Sequence, residues 1–494
     1  MAMLVMTLLF AAGLEGIAWL VVGTAPLDPR YTCAANAPVD TYRIFSYGGS
    51  TVFGTPVPEY GFMSQLAARL NEQAPGRYTV CNMGEGGRDS SGVLLDVEKT
   101  LRYAPDLVVV LSGHNEFLQP AFQATGTRRM QEWVATLSSV RLAQKFMKRL
   151  NHRKHTESAE QPTPQAVQAV ARDSADFQAR VSRYHANLTQ VVALTGDAGV
   201  PLLLGTLSAN LKDWPPVYRS LAVANGGVSD PDRIMRSIDA AIRDDAKGAQ
   251  ALLDAGPLPS EEAKAPVMQF LRARIALATA DDHERPALLA TLQQANDNDP
   301  VPWRASSDFN VFVRGLAASA GHVTLLDVDS LLRHAASDGL PGFDLITDNC
   351  HPTPHANHLI ASAILAQIAV QTNQTLDYPD DAFALFMAAQ PAELQLDYQL
   401  RNGIYTMKVP FFNYPVSRRY FLQADALATN DWRIDANLGA LSLLEGDKQQ
   451  GIERLTRALS RQPDQRELLA RRNSPYLLEA LAQADLRLDD IPIQ

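Results

Sequence analysis

The chain has 494 residues, 46% of them hydrophobic, enough to bury one large core with accessory structure in two or three domains, which excludes a disordered tail. Its formal net charge of -10 is scattered along the sequence, and no basic run stands ready to neutralise a line of phosphates, so nucleic acid is excluded as a partner. Three cysteines, Cys33, Cys81 and Cys350, are too few and too widely spaced for a disulfide framework, and no Cys-x-x-Cys pair points to zinc or redox chemistry.

Residues 3–23 (MLVMTLLFAAGLEGIAWLVVG) are about long enough to cross a bilayer as a helix. Glu15 interrupts them, but roughly a dozen strongly apolar residues at about -0.5 kcal/mol each outweigh one central carboxylate at about +3 kcal/mol. Residues 1–25 are therefore expected to form a transmembrane anchor, or a signal segment cleaved near Gly23-Thr24-Ala25. The bulk of the chain is expected outside the cytoplasm, on the periplasmic side in a bacterium.

Next in the chain, residues 42–47 read as a buried strand running into Gly48-Gly49-Ser50. Residues 60–71 place Phe62, Met63, Leu66 and Leu70 at helical spacing, and 78–83 form a second strand ending at Gly84. Helical spacing returns over 92–103, and 106–111 are an almost wholly apolar strand ending at Ser112-Gly113. This alternation predicts a three-layer α/β/α domain over 40–375 with a parallel sheet of about five strands, completed by 201–206 and 322–327. Helical insertions are expected near 125–195 and 208–318, with a polar surface excursion at 148–164. From 376 to 494 the chain reads as helical. Within it, 430–464 has the shape of one tetratricopeptide-like unit, with Ala440, Gly446-Asp447 at the turn, Ala458 and Pro463, or of an ordinary helical hairpin. Such a region could receive a protein partner.

Ligands of open parallel sheets gather beyond the carboxyl ends of the strands. Four blocks occupy such places: Gly48-Gly49-Ser50-Thr51, Asn82-Met83-Gly84, Gly113-His114-Asn115-Glu116, and Asp348-Asn349-Cys350-His351-Pro352. In this order and context the sequence resembles the SGNH, or GDSL-like, hydrolase family over roughly 42–371, apart from the insertions. The resemblance implies a flavodoxin-like sandwich and a serine ester hydrolase working through an acyl-enzyme, with no cofactor and no metal. It assigns Gly84 and Asn115, with the backbone N–H of Ser50, to an oxyanion hole, and Asp348 and His351 to the orienting carboxylate and the base.

Elementary chemistry agrees with these assignments. Ester cleavage needs a hydroxyl activated by a base, a group that holds the base, and donors where the oxyanion develops. Ser50 sits where a strand breaks into a turn, a glycine N–H allows close approach, and an asparagine amide has two hydrogens to donate. Pro352 and Pro354 keep the Asp348–His351 segment out of a helix. Two residues depart from the family pattern: Gly49 stands where aspartate is usual, and Glu116 stands where the third block usually has aspartate.

Three rival readings stand beside this one. Cys350, His351, His355 and His358 resemble a ligand cluster, but the prolines keep His351 and His355 off a common helical face. The chain could instead be a membrane-anchored interaction scaffold with a degenerate hydrolase core. Thirdly, the same triad could pass its acyl group to a sugar hydroxyl in place of water. The expected substrate is an ester-bearing small molecule, an acetylated carbohydrate or other glycan, or a lipid. Asn210 and Arg304, beside Trp303, are candidates for its pocket.

Overall fold

The structure is a computed structural model that describes residues 2–118, 125–145, 169–217, 228–260, 262–407, 413–428, 430–461 and 476–492. Five parallel strands make the sheet: β1 (Tyr42–Gly48), β2 (Tyr78–Asn82), β3 (Leu107–Leu111), β4 (Leu202–Gly205) and β5 (Val323–Leu326). Their order is β2-β1-β3-β4-β5. Central β3, Leu-Val-Val-Val-Leu, is buried along its whole length, because a strand covered on both faces admits apolar, largely β-branched residues only.

From β1 the chain crosses outward to β2 and then back over β1 to β3. Right-handed crossovers therefore place their helices on opposite faces. Phe62–Gln73 covers one face beside Pro354–Thr372, while Ser90–Thr100 covers the other beside Ala175–Asp197. Ser307–Ala318 packs on β5 and β4. This strand order puts the topological switch point between β1 and β3, whose carboxyl ends lead directly to Ser50 and Asn115.

Ala175–Asp197 and Ser307–Ala318 fall within the stretches expected as insertions, yet they form a layer of the sandwich. Between β4 and β5, the helices Pro231–Ile242, Ala246–Asp254, Pro266–Leu277 and Arg285–Asp297 build a separate apolar core on Ile234, Ile238, Phe270, Leu271 and Leu292. The C-terminal region is helical. Ala392–Thr406 pairs with Tyr414–Leu427, and Trp432–Leu444 with Lys448–Arg461 across a turn at Gly446, whose φ of 87° favours glycine. The excursion expected at 148–164 and the end of the repeat-like unit at 462–464 lie outside the described residues.

The structure bears on two further expectations. Residues Ala2–Val22, expected as an anchor or signal segment, form a helix of 21 residues, and among the described residues no helix is long and apolar enough to cross a membrane. Polar contacts within the chain bind this segment. The Glu15 carboxylate accepts from Ser139 N at 3.0 Å and Ser139 Oγ at 2.7 Å, as well as from Ser138 N, and Arg141 Nη2 donates to Val22 O at 2.7 Å. Secondly, Cys33 and Cys81 form a disulfide, with Cα atoms 5.6 Å apart across 48 positions of sequence. Wide spacing in sequence hid their proximity, which arises because Thr32–Ala35 folds back beside β2.

Candidate active site

β1 ends at Gly48, Gly49 is extended (φ -83°, ψ -151°), and Ser50 opens the short helix Ser50–Phe53. The break lifts the serine hydroxyl above the sheet edge. His351 arrives 301 residues later on a tight turn. Thr347 N donates to His351 O and Thr353 N to Leu345 O, both at 2.8 Å, and Ile346 bridges to Pro352. Thr353 caps the helix Pro354–Thr372, with Pro354 in its first turn, which stops the helix from extending back through His351.

These elements bring together the three residues expected for the triad. Ser50 Oγ lies 2.7 Å from His351 Nε2, and His351 Nδ1 lies 2.6 Å from Asp348 Oδ2. The other carboxylate oxygen, Asp348 Oδ1, accepts from Cys350 N and His351 N, each at 2.9 Å. Asp348 and His351 are 1% and 2% exposed, so the imidazole is held in one orientation by groups that exclude water from Nδ1. With Asp348 on Nδ1, the proton of neutral His351 sits there and Nε2 accepts from the serine hydroxyl.

Asn115 is buried beside Ser50, and its Nδ2 donates to Arg88 O at 2.9 Å, which uses one amide hydrogen and leaves the second for a substrate oxygen. A Cβ built on Gly49 would stand 2.2 Å from that Nδ2. The glycine is what admits the asparagine amide to this position. Gly84 packs against the helix Ser50–Phe53 so closely that a Cβ would meet Phe53 N at 2.4 Å. Its own N–H donates to Asn82 Oδ1 at 2.9 Å, so in this structure Gly84 supplies close approach while its donor is engaged elsewhere.

Glu116 ties the loop that carries Asn115 to the start of the helix Ser90–Thr100. Fully buried, it accepts from Ser90 N at 2.7 Å and Ser90 Oγ at 2.9 Å, and Arg183 Nη2 lies 3.6 Å from its carboxylate. Desolvation, reinforced by nearby Asp89, raises its pKa to about 7. Asn210 and Arg304, expected at the substrate pocket, are instead buried braces behind the catalytic turn. Asn210 N donates to Asn349 O at 3.0 Å. Arg304 pairs with Asp299 at 3.2 Å and donates to Asn210 O and Trp214 O, both at 2.8 Å. Their hydrogen bonds join loops to one another.

One residue had no expected role. His114, inside the third block, is buried, and its Nδ1 accepts from Ala305 N at 3.0 Å, which places the proton on Nε2. Nε2 has no partner among the described residues. Burial first, then the neighbouring His351, push the His114 pKa down to about 3, so it stays a neutral donor next to the triad. Its place between Gly113 and Asn115 was the signal available in the sequence. Asp348, Cys350 and His351 are also close enough together to suggest a metal site, but Asp348 and His351 are mutually bonded and His351 Nε2 faces Ser50. His355 and His358 pack against Phe383 and Tyr378, away from this turn.

Residues 46–221 match the model of the GDSL-like Lipase/Acylhydrolase family. That span contains Ser50, Gly84 and Asn115, while Asp348 and His351 come from beyond it. No curated protein matches. Solved structures with a similar chain trace include an acetyl xylan esterase, AlAXEase, at 13% identity and a TM-score of 0.32, covering 66% of this chain and 99% of that one. A member of the lipolytic protein G-D-S-L family from Veillonella parvula matches at 11% identity and a TM-score of 0.30, covering 66% and 96%. LAE5, an alpha/beta hydrolase enzyme from the metagenome of Lake Arreo, Spain, matches at 14% identity and a TM-score of 0.29, covering 66% and 94%.

Proposed function

We propose that this chain, whose residues 46–221 match the GDSL-like lipase/acylhydrolase family model, is an ester-hydrolysing enzyme in which Ser50 is the nucleophile, His351 the general base and Asp348 the group that orients the base. The observation that carries this reading is the continuous chain of hydrogen bonds from Ser50 Oγ through both imidazole nitrogens to Asp348, at 2.7 and 2.6 Å. His351 Nε2 takes the hydroxyl proton as Oγ attacks the ester carbonyl. The oxyanion then accepts from Ser50 N–H and from the second hydrogen of the Asn115 amide. Collapse of this intermediate releases the alcohol, which takes its proton from His351, and leaves an acyl group on Ser50. Water activated by the same imidazole frees the acid.

The proposed substrates are ester-bearing small molecules, acetylated carbohydrates or lipids. Acyl transfer to a sugar hydroxyl uses the same acyl-enzyme, so only the acceptor would differ. We further place the enzyme outside the cytoplasm, a reading supported by the Cys33–Cys81 disulfide, since such bonds persist in oxidising compartments. The test is hydrolysis of a chain-length series of p-nitrophenyl esters by the wild type and Ser50→Ala. Turnover that depends on Ser50 supports the reading, and a Ser50→Ala protein with wild-type turnover overturns it.

A further inference from the structure

We propose that the C-terminal helices belong to the active centre, where three tyrosines hold the catalytic turn and position its histidine; this rests on the reading of His351 as the base. Ala392–Thr406 contributes Tyr398 and Tyr405, and Tyr414–Leu427 contributes Tyr420. Tyr420 Oη donates to Thr347 O at 2.6 Å, and Tyr398 Oη pairs with Thr347 Oγ1 at 2.9 Å. Tyr405 stands edge-on to the His351 imidazole itself, with centroids 5.4 Å apart and planes at 77°.

Three side chains from two helices thus converge on the five residues that carry the acid and the base. Thr347 is a lever on His351, because its N–H bonds the His351 carbonyl and closes the turn. The region between β4 and β5 also grips the turn, through Asn210 N to Asn349 O and Asn349 Nδ2 to Trp303 O, both at 3.0 Å, and its Trp303 packs in one apolar cluster with Tyr405 and Tyr420. The sandwich supplies the nucleophile, while two accessory regions fix the base relative to it. Burial raises all three phenols well above their usual range, so each remains a protonated donor wherever the base works. Tyr405 limits tilting of an imidazole that must meet Asp348 and Ser50 at once, and displacements of about 1 Å at such a site cost on the order of 100-fold in rate. Tyr398, Tyr405 and Tyr420 are accordingly positioning residues.

The experiment measures kcat and KM for p-nitrophenyl acetate hydrolysis by full-length Tyr405→Ala, Tyr405→Phe and Tyr420→Phe, normalised to active sites titrated with a fluorophosphonate. Tyr405→Ala is expected to lower kcat per site roughly 10- to 100-fold with KM within about twofold. Tyr405→Phe, which keeps the ring, should restore most of it. Tyr420→Phe should lower kcat about five- to tenfold by removing one hydrogen bond to the turn. Normalisation removes any loss that comes from misfolding alone, and Tyr420→Phe keeps the test alive if Tyr405→Ala does not fold. Wild-type kcat per site in both Tyr405→Ala and Tyr420→Phe, or in Tyr420→Phe alone if Tyr405→Ala does not fold, or losses confined to KM, would overturn the proposal. If Ser50→Ala is unlabelled while the tyrosine variants turn over normally, only this inference fails; if Ser50→Ala labels like the wild type, the triad reading fails with it.

Discussion

Replacing Gly49 with alanine should disable the oxyanion donor without touching the triad. The backbone there is ordinary, with φ at -83°, so the new methyl costs nothing in local strain. Space is the obstacle, since the Cβ would lie 2.2 Å from Asn115 Nδ2, where ordinary contact begins near 3.4 Å. The amide must retreat by roughly 1 Å, breaking its 2.9 Å bond to Arg88 O, and displacement on that scale costs about 10² in rate. Asn115→Ala removes the same donor outright and should lower kcat by about 10²–10³ with little change in KM. Because both substitutions act through one amide, the double variant should be little slower than Asn115→Ala alone. Steady-state kinetics on p-nitrophenyl acetate for the four proteins of this cycle provides the assay. Wild-type kcat in Gly49→Ala, or fully additive losses in the double variant, would refute the argument.

The buried carboxyl of Glu116 makes stability depend on pH in a defined direction. Its folded pKa of about 7 exceeds the ordinary 4.5, so its contribution is complete below about pH 4.5 and is lost as pH rises through 7. Glu116→Gln should therefore flatten the fall in melting temperature between pH 5 and pH 8, and parallel profiles for the two proteins would contradict this. The Cys33–Cys81 bond closes a loop across 48 positions, so replacing both cysteines with alanine should destabilise the fold by about 2–4 kcal/mol. Urea unfolding of the oxidised protein against the double variant measures it, and coincident midpoints would argue against the bond.

Much of the sandwich was legible because its strands are short apolar runs ended by glycine turns. Leu107–Leu111 and Leu202–Gly205 fall inside the stretches read as strands, and the turns after them mark where chemistry could sit. Ser50, Asp348 and His351 stand in strongly punctuated segments too, and with the family resemblance these marked out three side chains that the fold brings within hydrogen-bond reach. What the sequence hid depends on distances between remote segments. Nothing local places Cys33 beside Cys81 or Tyr405 beside His351. Asn210 and Arg304 looked like pocket residues because polar groups after apolar segments resemble a rim; they turned out to be buried, joining loops to one another. Gly49 shows the limit most sharply. As a departure from the family's aspartate it reads as a loss, whereas the fold uses its missing side chain to seat Asn115.

The claim that Ser50 is activated by His351 is tested most directly by mapping the adduct of a fluorophosphonate probe by peptide mass spectrometry. One adduct is expected, on Ser50, absent in Ser50→Ala and formed much more slowly in His351→Ala when both variants melt like the wild type. An adduct on any other residue, or equal labelling of Ser50→Ala and the wild type, would contradict it.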